Sequence, residues 1–139
     1  MIVERFQPEH LARMPLQPAQ EAARVALADP EYLAAITSGP AATLLAADGA
    51  PVAAGGIVEF EDGSLLWSFL ARDAGRNMVA VVRAARRLVE VAKRPTYATA
   101  ACEFAAGGRM LELLGFERLP DPVSDVDAGG GLNFVYVRR

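Results

Sequence analysis

The residues with the clearest chemical potential lie at one junction, Arg72-Asp73-Ala74-Gly75-Arg76-Asn77-Met78, where a predicted strand passes directly into the longest predicted helix. The start of a helix presents free backbone N–H groups and the positive end of the helix dipole, so it can hold a phosphate. Gly75 would allow a ligand to approach the backbone, and Arg72 and Arg76 could neutralise phosphate charge. The alternative is structural: Asp73 caps the helix, Gly75 packs against a strand, and the arginines are solvated.

Four other side chains could carry acid–base or nucleophilic chemistry. Glu59 and Glu61 end the central predicted strand, where either could act as a general base, directly or through water, or simply be a solvated turn carboxylate. Histidine is the side-chain type suited to proton transfer near neutral pH, but His10 is remote in sequence from the junction, and a surface or capping role is the simpler interpretation. Cys102 lies in an alternating apolar run and is predicted to be a buried, inert thiol. One His and one Cys cannot assemble a zinc site of the usual ligand set.

The elements that would position these residues follow from periodicity and turn residues. Asp48-Gly49 favours a tight hairpin turn and Glu61-Asp62-Gly63 a second one, so strands at 43–46, 51–60 and 64–70 should form an antiparallel meander. Apolar residues at helical spacing predict a helix over 76–92, whose arginine-rich opposite face is solvated or binds an acidic partner. The other predicted elements are strands at 2–6, 97–102 and 132–137, helices at 8–14, 19–27, 31–37 and 105–114 (the last closed by Gly115), and a polar, Gly-rich loop at 121–131. This order indicates a single α/β (α+β) domain.

Composition limits the classes of protein to which the chain can belong. Its 139 residues are 53% hydrophobic and 22% charged, which excludes a disordered chain. A net charge of −3 gives no general attraction to nucleic acid or to an anionic membrane. No apolar run approaches the roughly 20 residues of a membrane-spanning helix. The single cysteine cannot form an internal disulfide, which suits a reducing compartment, so we expect a cytoplasmic protein.

The order of elements and two short motifs resemble the GNAT N-acetyltransferase superfamily, most strongly from about residue 42 to residue 117. Arg72 and Gly75 match that family's pyrophosphate loop, which is Arg or Gln, two residues, Gly, one residue, then Gly or Ala; Asn77 occupies the last small position. Gly115-Phe116 matches the pair that follows the family's last helix. The resemblance implies a mixed, mostly antiparallel central sheet with helices on both faces. It also implies that acetyl-coenzyme A binds at Arg72, Ala74, Gly75, Arg76, Asn77 and Met78.

The same resemblance raises a question about catalysis. GNAT enzymes often have an Asn at the start of the last helix and a Tyr four residues before the Gly-Phe pair, and the Tyr protonates the departing thiolate. Phe104 and Leu111 stand at these positions, and neither side chain can donate a proton. The resemblance therefore implies an acetyl-coenzyme A-dependent N-acetyltransferase that is weak or inactive, with an unidentified acceptor amine and with Glu59 or Glu61 as base.

Three segments are also similar to GNAT-like proteins encoded by tailed bacteriophages, some of which are associated with the virion interior. They are Leu16-Gln17-Pro18-Ala19-Gln20, Gly55-Gly56 and Asp73-Ala74-Gly75-Arg76. This likeness implies an alternative function, because a fold can persist after its chemistry is lost. The chain would then be a catalytically silent structural or assembly protein of a phage particle. It would act through phage structural proteins or self-association, in the cytoplasm of the bacterial host or within the virion.

Overall fold

The computed structural model describes residues 1–125 and 131–139, in which runs of strands are separated by helices. The strands are β1 (Ile2–Arg5), β2 (Ala41–Leu45), β3 (Pro51–Phe60), β4 (Gly63–Leu70), β5 (Thr96–Ala101), β6 (Glu117–Arg118), β7 (Val123–Asp125) and β8 (Gly131–Arg138). The α-helices are α1 (Pro8–Ala12), α2 (Arg24–Leu27), α3 (Pro30–Ile36), α4 (Met78–Val91) and α5 (Ala105–Leu113). Within these ranges no helix is both long and apolar enough to cross a membrane.

All the strands belong to one sheet, in the order β1-β2-β3-β4-β5-β8-β6, with β7 also paired to β8. Every neighbouring pair is antiparallel except β4 and β5, which are parallel and connected through α4. Helices α4 and α5 cover one face of the sheet, and α1 and α3 pack against the other. The predicted mixed, mostly antiparallel sheet with helices on both faces is confirmed.

Glycine at positive φ closes two of the predicted turns. Gly49 has φ +85° between β2 and β3, where Ala50 N donates to Asp48 Oδ1 at 3.0 Å and Ala46 N donates to Ala50 O at 2.9 Å. Gly115 has φ +92° directly after α5. Both conformations are ones that side chains with a Cβ adopt at a cost, so the predicted hairpin and left-handed helix cap are confirmed.

The two faces of the sheet carry two separate cores. On the α4 and α5 side, buried strand residues such as Ile57 and Leu66 meet Val81 and Met110 of the helices. On the other side an N-terminal cluster surrounds Trp67, whose Nε1 donates to Ile36 O at 3.0 Å. That cluster includes Phe6, Leu11, Met14 and Leu16, all buried. Because β-strand side chains alternate, successive residues of β4 serve opposite cores.

Some predicted boundaries are wrong. The helix expected over 19–27 is a 3-10 turn, Pro18–Ala23, followed by the single-turn helix α2. The long helix starts two residues later than predicted, at Met78, because a 3-10 turn over Ala74–Asn77 precedes it. Strands β6 and β7, of two and three residues, are too short to show a period and were not predicted. Of the predicted loop over 121–131, residues 126–130 lie outside the described residues.

His10 and Cys102 differ from expectation in burial. His10 is 5% exposed, so a surface position is wrong, while the capping role holds: Gln7 N donates to its Nδ1 at 3.2 Å at the start of α1. Thr43 Oγ1 lies 2.7 Å from the same nitrogen. Cys102 is half-buried rather than buried; it directly follows the end of β5, and its backbone N donates to Leu132 O of β8 at 3.0 Å.

Candidate functional site

The two parallel strands at the centre of the sheet pair only at their first residues. Ser64 lies opposite Thr96 and Leu65 opposite Tyr97, and their register contains no further pair. The side chains of Ser64 and Thr96 are fully buried. Ser64 Oγ donates to Lys93 O at 2.6 Å and lies 3.1 Å from Thr96 Oγ1. This polar cluster joins β4 to β5 at one end, and beyond it the strands separate.

The separation opens a cleft of about 290 Å³ between the strands. Residues 65–70 of β4 and 98–101 of β5 form its two sides, and residues of α5 and of the N-terminal segment complete it. Phe104 and Leu111, which stand where GNAT enzymes often have Asn and Tyr, both line the cleft. Among the described lining residues none is Asp, Glu, Lys, Arg, His or Cys. Tyr32 is the lining residue with a phenol group.

The edge of β4 that faces the cleft carries backbone hydrogen-bonding groups. Ala71 N donates to Val52 O of β3 at 2.9 Å, so residues of β4 at odd positions direct their backbone groups towards β3. By the alternation of an antiparallel ladder, Ser68 and Leu70 direct theirs towards the cleft. Leu70 N donates to Gln20 Oε1 at 2.8 Å, and Gln20 Nε2 donates to Ser68 O at 3.0 Å. The side-chain amide of Gln20 thus takes the position of a neighbouring strand.

The segment before Gln20 is fixed along the end of β4 in the same way. Gln17 N donates to Leu70 O at 2.9 Å, and Gln17 Nε2 donates to Ala71 O at 2.8 Å and to Arg72 O at 3.0 Å. Sequence reasoning assigned no role to either glutamine. The available signal was two glutamines around Pro18, since their amides offer both a donor and an acceptor to a strand edge. Which edge they meet is set by tertiary packing.

β4 ends at Leu70, at the open end of the cleft, and residues 71–77, which include the 3-10 turn Ala74–Asn77, lead from there to α4. Gly75 is exposed, and a Cβ built on it meets no atom within 4 Å, so it does not pack against a strand. Neither Asp73 nor Asn77 makes a side-chain capping hydrogen bond. The capping alternative is therefore wrong for Asp73. The open backbone at Gly75 leaves room for a ligand.

The other predicted cofactor residues differ in exposure. Arg72 and Arg76 are exposed, although Arg72 Nε donates to Leu16 O at 3.2 Å. Ala74 is 1% exposed and belongs to the core, so only its backbone could contact a ligand. Asn77 and Met78 are half-buried. The segment therefore offers two exposed cations beside a backbone turn.

Glu59 and Glu61 lie at the other end of β4. Both are exposed at the β3–β4 turn, and Glu59 is opposite Ser64 at the closed end of the cleft. Six residues separate Ser64 from Leu70, which corresponds to about 20 Å along a strand. The structure therefore does not bring these carboxylates to the start of α4.

A buried phenol lies close to α5 but outside the cleft lining. Tyr136 of β8 is 4% exposed, and its ring is accommodated by Gly108 of α5. Burial, with a smaller contribution from Glu112, raises the pKa of the Tyr136 hydroxyl above its usual value. Tyr136 thus remains a neutral phenol in the core.

The chain matches no family model and no curated protein. Several solved structures share its fold. A protein provisionally named phosphinothricin N-acetyltransferase has a TM-score of 0.67 at 14% identity, covering 99% of this chain and 96% of the other. A GNAT phosphinothricin acetyltransferase from Sinorhizobium meliloti, solved with acetyl-coenzyme A, has 0.64 at 15% identity over 99% and 86%. The yncA protein of Salmonella typhimurium, provisionally an acetyltransferase and solved with acetyl-coenzyme A, has 0.56 at 14% over 98% and 91%. The chain has the GNAT fold.

Proposed function

We propose that this protein binds acetyl-coenzyme A in the cleft between β4 and β5 and transfers the acetyl group to an amine. The observation that carries the proposal is the separation of the two parallel strands after two residue pairs, with a helix starting at the open end. Along one side, this cleft offers the backbone groups of β4 to an extended ligand. At its open end, the positive end of the α4 dipole would attract a phosphate group.

The pyrophosphate group would lie against the turn that precedes α4. Gly75 gives open access to the backbone, and the exposed guanidinium groups of Arg72 and Arg76 would offset the phosphate charge. The remaining contacts would be made by the backbone. The proposed set is Arg72, Ala74, Gly75, Arg76, Asn77 and Met78.

The reaction would form a C–N bond between the amine and the acetyl carbon and break the C–S bond, with the amine proton ending on the departing sulfur. Ser68 directs its backbone N–H into the cleft, where it would polarise the thioester carbonyl. The lining offers Leu111 where an acid is expected, so the proton must travel through water or through Tyr32. Glu59 and Glu61 remain predicted bases without support from their position. We expect slow turnover.

Isothermal titration with acetyl-coenzyme A and with free coenzyme A tests binding directly. Backbone amide NMR shifts at Ser68 and Gly75 on addition of either ligand would place it in the cleft. The expected result is saturable binding with shifts at both positions. Absence of binding by both ligands at millimolar concentration would contradict the proposal.

A second candidate is a catalytically silent GNAT-fold component of a tailed phage particle. Gln17 and Gln20 already satisfy the edge of β4 that the amides of an extended ligand would need, and this observation favours it. The partners would be phage structural proteins or further copies of the chain, in the host cytoplasm or in the virion. Stable co-sedimentation with phage particles, together with no coenzyme A binding, would support this candidate over the enzyme.

A further inference from the structure

A second cavity, of about 250 Å³, lies on the α4 side of the sheet. It is bounded by α4, by strands β2, β3 and β4 and by Met110 of α5, and its edge includes the exposed Val3 of β1. Many of its walls are small residues, which explains why the helix and the sheet leave space between them. These residues are Ala42, Ala53, Gly55, Ala84 and Ala85.

This cavity adjoins the cleft between β4 and β5. Leu66, Ser68, Leu70 and Met110 line both spaces. Three of them are consecutive residues on one side of β4, and Met110 comes from α5. Met110 is 4% exposed, and its unbranched side chain can change rotamer more readily than a branched one. The wall between the two spaces is therefore one side chain thick and includes a flexible member.

The lining of the cavity suits an alkyl group. Arg87 is the charged side chain among its described residues, and Thr43 and Ser68 are the hydroxyl-bearing ones. Thr43 Oγ1 is engaged 2.7 Å from His10 Nδ1. Few polar groups are left to hold water, and an apolar cavity of this size accepts apolar guests more readily than water.

We infer that the same site also accepts, and binds more tightly, an acyl donor with a chain longer than acetyl, a coenzyme A thioester of a short linear fatty acid. This inference rests on the proposed function. The thioester would lie beside Ser68, and the alkyl chain would pass Met110 into the cavity beneath α4. The transfer is balanced as before: the acyl carbon leaves sulfur for the amine nitrogen, and the amine proton ends on the thiol.

The test is a series of acetyl-, butyryl- and hexanoyl-coenzyme A, measured by isothermal titration with the wild-type chain. Burial of each methylene should tighten binding about fourfold, so butyryl should bind about 15-fold more tightly than acetyl. Affinity that stays flat or falls with length, while acetyl-coenzyme A still binds, overturns the inference and leaves the proposed function standing. Failure of all three thioesters and of coenzyme A overturns the proposed function itself.

A cavity-filling variant tests whether the alkyl chain of the donor binds in this cavity. Ala85→Phe should fill the space beneath α4, removing the gain of butyryl over acetyl while leaving acetyl-coenzyme A affinity within about twofold. Val91→Phe is the matched control, because Val91 lies on the same helix at 71% exposure and lines neither space. Ala84→Leu serves if Ala85→Phe does not fold. If a folded cavity-filling variant still binds butyryl-coenzyme A more tightly than acetyl-coenzyme A, the alkyl chain binds elsewhere and the inference is overturned.

Discussion

Gln20 Oε1 accepts a hydrogen bond from Leu70 N at 2.8 Å, and the same side-chain amide donates through Nε2 to Ser68 O. A single glutamine from the N-terminal segment therefore satisfies two backbone groups of β4 at the position where β5 has moved away. These are the groups that the amides of an extended ligand in the cleft would use. The contact stabilises the empty cleft and would compete with a ligand.

Replacing Gln20 tests this competition. Gln20→Ala should lower the free energy of unfolding by about 1 kcal/mol, since water can partly replace the lost hydrogen bonds. It should also tighten coenzyme A binding, because no side chain then has to be displaced. Gln20→Glu keeps an acceptor for Leu70 N but loses the donor to Ser68 O, so an intermediate effect is expected. Weaker binding by Gln20→Ala in titration calorimetry would show that Gln20 is part of the ligand site.

Gly75→Val tests the proposed pyrophosphate contact. A Cβ built on Gly75 meets no atom within 4 Å and the position is exposed, so the melting temperature and circular dichroism should hardly change. Coenzyme A binding should be lost, because the side chain would occupy the space beside the backbone. Gly131→Val is the control, since a Cβ there also meets nothing within 4 Å. Undiminished binding by Gly75→Val would move the phosphate site away from this turn.

Leu111→Tyr tests whether the missing acid limits turnover. Leu111 is 3% exposed and lines the cleft, so a phenol there would approach the departing sulfur. Leu111→Phe adds similar bulk without the hydroxyl, and both should be destabilised by about 1–3 kcal/mol. With acetyl-coenzyme A and an amine panel, the turnover rate of the Tyr variant should exceed that of the Phe variant by about 10²–10⁴-fold. Equal rates would mean that proton transfer is not limiting.

Thr43→Val tests the buried polar contact between β2 and α1. Thr43 is fully buried, and its hydroxyl lies 2.7 Å from His10 Nδ1. Removal should lower the free energy of unfolding by about 1–3 kcal/mol, because His10 loses a partner inside the core. Thr37→Val is the control, since that residue is exposed at the end of α3, and a change within about 0.5 kcal/mol is expected. Chemical denaturation measures both, and equal stabilities would exclude a structural role for the contact.

The sequence predicted those parts of the fold that local signals encode. The hairpin at Asp48-Gly49, the apolar period of α4 and the cap at Gly115 depend on residues close together in the chain, and all three are confirmed. The contact of Gln20 with β4 was not predictable, because it joins residues 50 positions apart. The unpaired backbone groups at the edge of β4 can be identified only when the separation of β5 from β4 is known.

The predicted site residues follow the same division between local and long-range signals. The strand-to-helix junction at Arg72 is a local signal, and the structure has β4, a 3-10 turn and α4 in that order along the chain. The distance of Glu59 from that junction depends on the length and direction of β4. The predicted turns place Glu59 at one end of that strand, but they do not show that the candidate site lies at the opposite end. The cavity beneath α4 arises from small residues on separate elements, and no single segment of sequence reveals it.

The short register between β4 and β5 divides the sheet mechanically. One half holds β1 to β4 and the other holds β5 to β8, and backbone pairing joins the halves only at Ser64–Thr96 and Leu65–Tyr97. A small rotation about this seam would widen or narrow the cleft without breaking another backbone strand pair, and the core cluster shared by both halves would oppose it. Ser64 and Thr96 would be the pivot of such a rotation. A substitution at either residue is therefore expected to change which ligands the open end of the cleft admits.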